Sequence, residues 1–115
     1  MKKKVLTLDD ILRAADVQEK ELFIEEWNGS VKIKNLTKEA ELKIRKKATD
    51  KDGNLDEATF ETLLLVECLV EPKITEEDAK KLLERSASAV NKILMAIIEL
   101  SGFSVDEKKA RDFFR

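Results

Sequence analysis

Leu8, Ile11, Leu12 and Ala15 recur at helical spacing behind Thr7, a good N-cap residue with Asp10 three positions on. The pattern predicts a short helix over 7–16. From Glu21 to Trp27 the chain turns apolar-rich and reads as extended. Asn28-Gly29 follows, and Val31 and Ile33 then alternate with Lys32 and Lys34. This is the pattern of a β-hairpin over 20–35. Asn-Gly tolerates the positive φ angles of a tight type I′ turn, and the alternation sends one face to a core and the lysines to water.

Beyond the hairpin the period changes to that of helices. Thr37 can cap a segment in which Leu36, Ala40 and Ile44 fall four apart, with Leu42 widening the stripe, and this helix should run to about Ala48. Asp50-Lys51-Asp52-Gly53-Asn54 is a turn cluster. Asp56 can then cap a helix carrying Phe60, Leu63, Leu64, Val66, Leu69 and Val70 that Pro72 stops. Thr75, with Asp78 in the reciprocal capping position, opens what reads as the longest element. Its stripe, from Ala79 through Leu82, Leu83, Ser86 and Val90 to Ile97, predicts one helix to about Leu100, ended by Gly102. Val105 to Arg115 reads as a short charged terminal helix. The expected fold class is α+β and predominantly α, with three helices over 37–102 and the shorter ones packed around one β-hairpin in the N-terminal half.

Length fits this picture to a single domain, because 115 residues suffice for one core and not for two. Charged residues are 40% and apolar ones 43% of the chain, the balance of a folded protein with a strongly ionic surface. Lys and Arg number 22 against 24 Asp and Glu, so a net charge of −2 offers no general attraction to DNA or an anionic membrane. No apolar run approaches the roughly 20 residues of a membrane span. Met1-Lys2-Lys3-Lys4 is followed by Val5-Leu6-Thr7-Leu8-Asp9-Asp10, with acids where a signal peptide is apolar, which points to the cytoplasm.

Candidate chemistry thins out quickly. The chain has no His and no Tyr, which excludes a Ser-His-Asp triad, a Cys-His pair and a His-containing zinc site. The one cysteine, Cys68, sits among Leu64, Val66, Leu69 and Val70 and reads as a small core hydrophobe. Asp50 to Glu61 mimics a calcium loop in its first, third, fifth and twelfth positions. Leu55 stands where that loop needs Gly, however, and no sister loop exists, so the segment reads as an interhelical turn. Lys43, Arg45, Lys46, Lys47 and Lys51 form a basic concentration interrupted by acids and lacking aromatic residues, a weak case for nucleic acid. No catalytic residue, metal ligand or cofactor is indicated.

The order of elements carries a resemblance. The hairpin, Asn35-Leu36-Thr37 opening a charged helix, and the stretch Leu63-Leu64-Leu65-Val66-Glu67-Cys68-Leu69-Val70-Glu71-Pro72-Lys73 leading into Ile74-Thr75-Glu76-Glu77-Asp78 resemble tail assembly chaperones of long-tailed phages and PBSX-like prophages. The likeness extends from about Leu8 to Gly102. Trp27 and the Lys-rich helix after Thr37 depart from it. The resemblance implies a non-enzymatic protein of the bacterial cytoplasm that binds the tape measure protein, self-associates during tail morphogenesis and is absent from the finished virion. The major tail protein is a second candidate partner. The residues themselves also fit a small cytoplasmic protein–protein adaptor or a nucleic-acid-binding helical module.

Residue chemistry and resemblance meet on exposed apolar surface as the means of association. Ile93-Leu94-Met95-Ala96-Ile97-Ile98 is apolar nearly all round, and Ser86-Ala87-Ser88-Ala89 would let another backbone approach closely. The expected partner-binding residues are Ile93, Leu94, Ile97 and Ile98, with Trp27 and Val31 on the hairpin. Each of these also fits a place in the core.

Overall fold

The computed structural model describes residues 4–103. Helix α1 spans Leu8–Arg13, strands β1 and β2 span Glu19–Ile24 and Gly29–Lys34, α2 spans Lys38–Ala48 and α3 spans Glu57–Cys68. A third strand β3 covers Leu69–Glu71, followed by α4 over Glu76–Leu82 and α5 over Ala87–Leu100. The fold is α+β and mostly helical, as the periodicity predicts. The expected helix over 105–115 lies outside the described residues.

The three strands form one antiparallel sheet in the order β1-β2-β3. In the hairpin Leu22 pairs with Val31, Lys20 with Ile33 and Ile24 with Gly29. Alternation therefore puts Leu22, Ile24, Val31 and Ile33 on one face. That face receives α5, and Ile24 and Ile33 are fully buried. Behind α5 lies α3, which is flanked in turn by α2 and α4.

The connection between β1 and β2 is wider than the two-residue turn expected from Asn28-Gly29. Strand β1 ends at Ile24, and a single 3₁₀ turn occupies Glu25–Trp27. Asn28 closes the loop in the left-handed region at φ 50°, its N–H donating to the Glu25 carbonyl at 3.1 Å. Only Asn28 of the pair needs positive φ, and Gly29 is already the first residue of β2.

Two helix boundaries also differ from the periodic reading. The apolar run after Asp56 leaves the helix at Cys68, not at Pro72, because Leu69 pairs with Ile33 and Glu71 with Lys32 as the sheet's third strand. Two ion pairs reinforce that docking, Lys34–Glu67 at 3.5 Å and Lys32–Glu71 at 4.0 Å. The segment from Thr75 to Leu100 is two helices rather than one. Helix α4 stops at Leu82, and Ser86 starts α5 afresh, its Oγ accepting from the Ala89 N–H. Between Thr37 and Gly102 there are thus four helices rather than three.

Local capping fixes several other boundaries, although Asp56, at the N-cap position of α3, makes no capping bond to the backbone and takes the Thr59 hydroxyl instead. Thr37 Oγ1 accepts from the Ala40 N–H, and Thr75 and Asp78 form a reciprocal capping box. Gly102 ends α5 at φ 87° with its N–H on the Glu99 carbonyl. Ser101 Oγ, which donates to Ile97 O at 2.6 Å, accepts from Leu36 N at 2.9 Å and so ties the end of α5 to the start of α2.

The buried apolar side chains form one cluster that draws on the sheet and on α2, α3, α4 and α5. Helix α1 contributes nothing to it, as no residue of α1 is buried. Leu42, expected to widen the stripe of α2, points to solvent, and the buried face of that helix runs through Ala40, Ile44 and Ala48 instead.

Candidate protein-interaction surface

The four residues of α5 expected to meet a partner are interior. Ile93, Leu94 and Ile97 are at most 1% exposed and Ile98 is 7% exposed. The helix is apolar nearly all round because it is covered on opposite sides, by the sheet and by α3. Trp27 and Val31 are half-buried and pack against the same cluster. All six residues belong to the fold's interior or its lining, and none offers a free apolar face. The small-residue run before them is absorbed as well: Ser86 caps α5, Ala89 is fully buried and Ser88 bonds to Glu26.

The exposed apolar surface lies at the other end of the chain. Val5, Leu6, Leu8, Ile11, Leu12 and Val17 are all half exposed or more, with Val5 at 90%, Leu12 at 73% and Leu8 at 70%. They fall within a stretch of 13 residues, whereas Phe23, Leu42, Leu55, Leu83 and Phe103, also exposed, are scattered singly over other elements. Scattered apolar residues are ordinary on a protein surface; a contiguous group is the mark of an association site. Together the six expose on the order of 500 Å² of aliphatic surface.

This arm is locally ordered by polar contacts. Thr7 Oγ1 accepts from Asp10 N at 3.2 Å while Thr7 N donates to Asp10 Oδ2 at 3.0 Å, a complete capping box. Those bonds, helped by Lys4 at 3.2 Å, hold the Asp10 carboxyl below its usual range. Asp9 and Arg13 pair along the helix at 3.1 Å. The arm is fastened to the sheet at its base: Asn35 Nδ2 donates to the Asp16 carbonyl at 3.0 Å, and Asn35 Oδ1 accepts from Gln18 N at 2.7 Å. Residues ahead of Asp16 therefore project from a fixed point beside β1. The helix expected over 7–16 is observed over Leu8–Arg13 alone, and nothing in the sequence distinguishes its exposed apolar stripe from a buried one.

Other candidate chemistry resolves into structure. Asp50 Oδ1 accepts from the N–H groups of both Asp52 and Asn54 at 2.9 Å, so the calcium-like segment is a self-satisfied turn. Among the described residues no group of three or more Cys, Asp or Glu is placed to hold a metal ion. Cys68 is fully buried, and burial, with Glu67 adding to it, pushes its thiol up to about 12. Within the basic patch Lys43 pairs with Glu39 at 3.2 Å, and Arg45 reaches Glu41 at 3.4 Å while lying 5.5 Å over the Phe60 ring. Among the described residues, no helix is long and apolar enough to cross a membrane.

No protein-family model, curated protein or solved structure matches the chain. The arm is thus the feature that most sets the surface apart: six large aliphatic side chains in water, on a fold whose other large side chains mostly have places.

Proposed function

We propose that the chain is a non-enzymatic tail assembly chaperone of the kind found in long-tailed phages and prophages, working in the bacterial cytoplasm and binding the tape measure protein. One observation carries the reading: six exposed aliphatic side chains, Val5, Leu6, Leu8, Ile11, Leu12 and Val17, gather in the arm and stand outside the core. Such a surface suits the apolar stripe of an amphipathic client helix, which binds through side chains at positions i, i+3, i+4 and i+7. The resemblance running from Leu8 to Gly102 supplies the client, and the lack of any His supports a binding role over acid–base chemistry.

The test is co-expression with the tape measure protein. The client is expected to become soluble and to copurify, and Leu8→Glu with Leu12→Glu is expected to abolish retention while leaving the melt of the chaperone unchanged. A tape measure protein that stays insoluble while this chain elutes alone overturns the reading. Retention unaffected by the double substitution moves client binding away from the arm.

A further inference from the structure

We infer that the C-terminal segment, Ser104 to Arg115, docks within its own chain as a helix along the cleft over Leu36, Thr37 and Lys38, bringing Phe113 and Phe114 against Val17 at the base of the N-terminal arm. The inference goes beyond the client reading and does not depend on what the arm binds.

The fold brings the start of this segment and the base of the arm together. Leu36 N–H donates to Ser101 Oγ at 2.9 Å, and its neighbour Asn35 donates to the Asp16 carbonyl at 3.0 Å. Ser101 and Asp16, near opposite ends of the chain, are thereby held on consecutive residues. Phe103 N–H donates to the Ile98 carbonyl at 3.2 Å, which fixes where the last segment sets out. Between the two points runs a cleft in two parts. One part, of about 290 Å³, reaches from Phe103 and Ser101 to Lys38, and the other, of about 210 Å³, continues over the same Leu36, Thr37 and Lys38 to Asp16 and Val17. Phe103 stands 40% exposed at one end and Val17 50% exposed at the other.

The segment suits this cleft in length, face and charge. Ser104-Val105-Asp106-Glu107 is a capping-box sequence, the arrangement that opens α1 at Thr7 and α4 at Thr75. A helix over 105–115 is about 16 Å long, enough to carry its last turn from Phe103 to the base of the arm. At about 100° per residue, Asp106, Glu107, Ala110, Phe113 and Phe114 share one side of it, bordered by Lys109 and Arg111. The acids come first along that side and the bases follow. The cleft presents the opposite order. Lys38 lies between its two parts, with a side chain 76% exposed and further protons to offer beyond the one bonded to Glu41, and Asp16 lies exposed at the far end. Laid from Phe103 towards Val17, the segment sets Asp106 and Glu107 at Lys38, Lys109 and Arg111 at Asp16, and the two aromatic rings at Val17. Docking covers Val17 and Phe103 and holds the base of the arm from a second side.

Cysteine cross-linking in the full chain tests this, because the native Cys68 is fully buried and stays out of the reaction. Val17→Cys with Phe114→Cys is expected to close an intramolecular disulfide at least about tenfold faster than Leu55→Cys with Phe114→Cys, which joins the same tail to the opposite end of α2. Asp16→Lys added to the first pair is expected to slow closure about two- to fivefold, and Lys109→Glu with Arg111→Glu to restore it. Hydrogen exchange gives a second readout that needs no cysteine. The amides of Ala15, Asp16 and Val17 are expected to exchange about threefold or more slowly in the wild type than in Phe113→Ser with Phe114→Ser, the melt staying cooperative in both. Equal rates for the two cysteine pairs overturn the inference, as do equal exchange in wild type and variant or a charge exchange that restores nothing. A disulfide that forms between molecules, faster at higher protein concentration, overturns it too, by showing that the cleft takes the tail of another copy.

Discussion

Glu26, in the turn between the hairpin strands, takes Lys92 Nζ at 2.8 Å on Oε1, binding the hairpin tip to α5 across 66 positions of sequence. Ser88, one helical turn before Lys92, donates to Oε2 at 2.7 Å. Lys92 first, then Ser88 and a backbone N–H, bring the Glu26 carboxyl down to about 2. The contacts sit at the rim of the sheet–helix interface, where Trp27 and Ile24 enter the core.

A depressed carboxyl stabilises the fold wherever the unfolded chain would already be ionised, and that contribution disappears as the folded form takes up its proton. Glu26 therefore contributes fully above pH 4.5 and progressively less down to about 2. Glu26→Gln is expected to melt below the wild type at pH 7, the gap narrowing across that window and closing beneath it. High salt is expected to shrink the gap at neutral pH, because these side chains are partly solvent-exposed. A gap independent of pH would mean that packing, not charge, joins the loop to α5.

Glu41 presents a different balance. It is 7% exposed on α2 and accepts from Lys38 Nζ at 2.7 Å and from Arg45 Nε at 3.4 Å, which hold its carboxyl below the usual range. Its partners keep much of their own hydration, with side chains 76% and 49% exposed. Replacing the acid by an apolar residue of similar size leaves two cations that water can serve, whereas removing the cations leaves a covered anion. Glu41→Met is expected to lie within about 1 kcal/mol of wild type and Lys38→Met with Arg45→Met to cost about 1–3 kcal/mol more, by urea denaturation. The opposite order would show that Glu41 is solvated through the gap beside Ser101 and Phe103.

Cys68 closes α3 with its sulfur fully buried and its thiol raised to about 12. The thiolate is the reactive form, so the native protein is expected to resist alkylation at pH 8 and to react at the rate of its own global opening. Iodoacetamide labelling should track urea concentration through the unfolding transition. Rapid labelling without urea would show local fraying at the α3–β3 junction.

What the sequence made legible follows from the range of each interaction. Thr37, Thr75 and Gly102 act within one helical turn, and the boundaries they set agree with the pattern around them. Leu69-Val70-Glu71 carried no such mark. Its apolar run continues the helical stripe, and its strand conformation depends on pairing with Ile33 and Lys32, more than 35 positions away. The break between Leu82 and Ser86 was hidden for the opposite reason, since Leu82, Ser86 and Val90 keep helical spacing across it. Association was hardest to read. An apolar segment is apolar whether it meets the chain's own sheet or another molecule, and only the layering of α5 between sheet and α3 settles its role.

That layering makes Ile98 and Leu12 opposites. Ile98 is 7% exposed within the core cluster, and Leu12 is 73% exposed on a helix that touches the core nowhere. A carboxylate at position 98 would be buried without a cation, so Ile98→Glu is expected to abolish the cooperative melt. The milder Leu94→Ala, beside it and fully buried, is expected to cost about 2–5 kcal/mol while retaining the fold. Leu12→Glu is expected to leave the urea midpoint of the monomer where it is and to remove only association. Calorimetry at a concentration where the chain is monomeric separates the two kinds of position. If Ile98→Glu melts like wild type, α5 is not the interior element its burial indicates and association must be sought there after all.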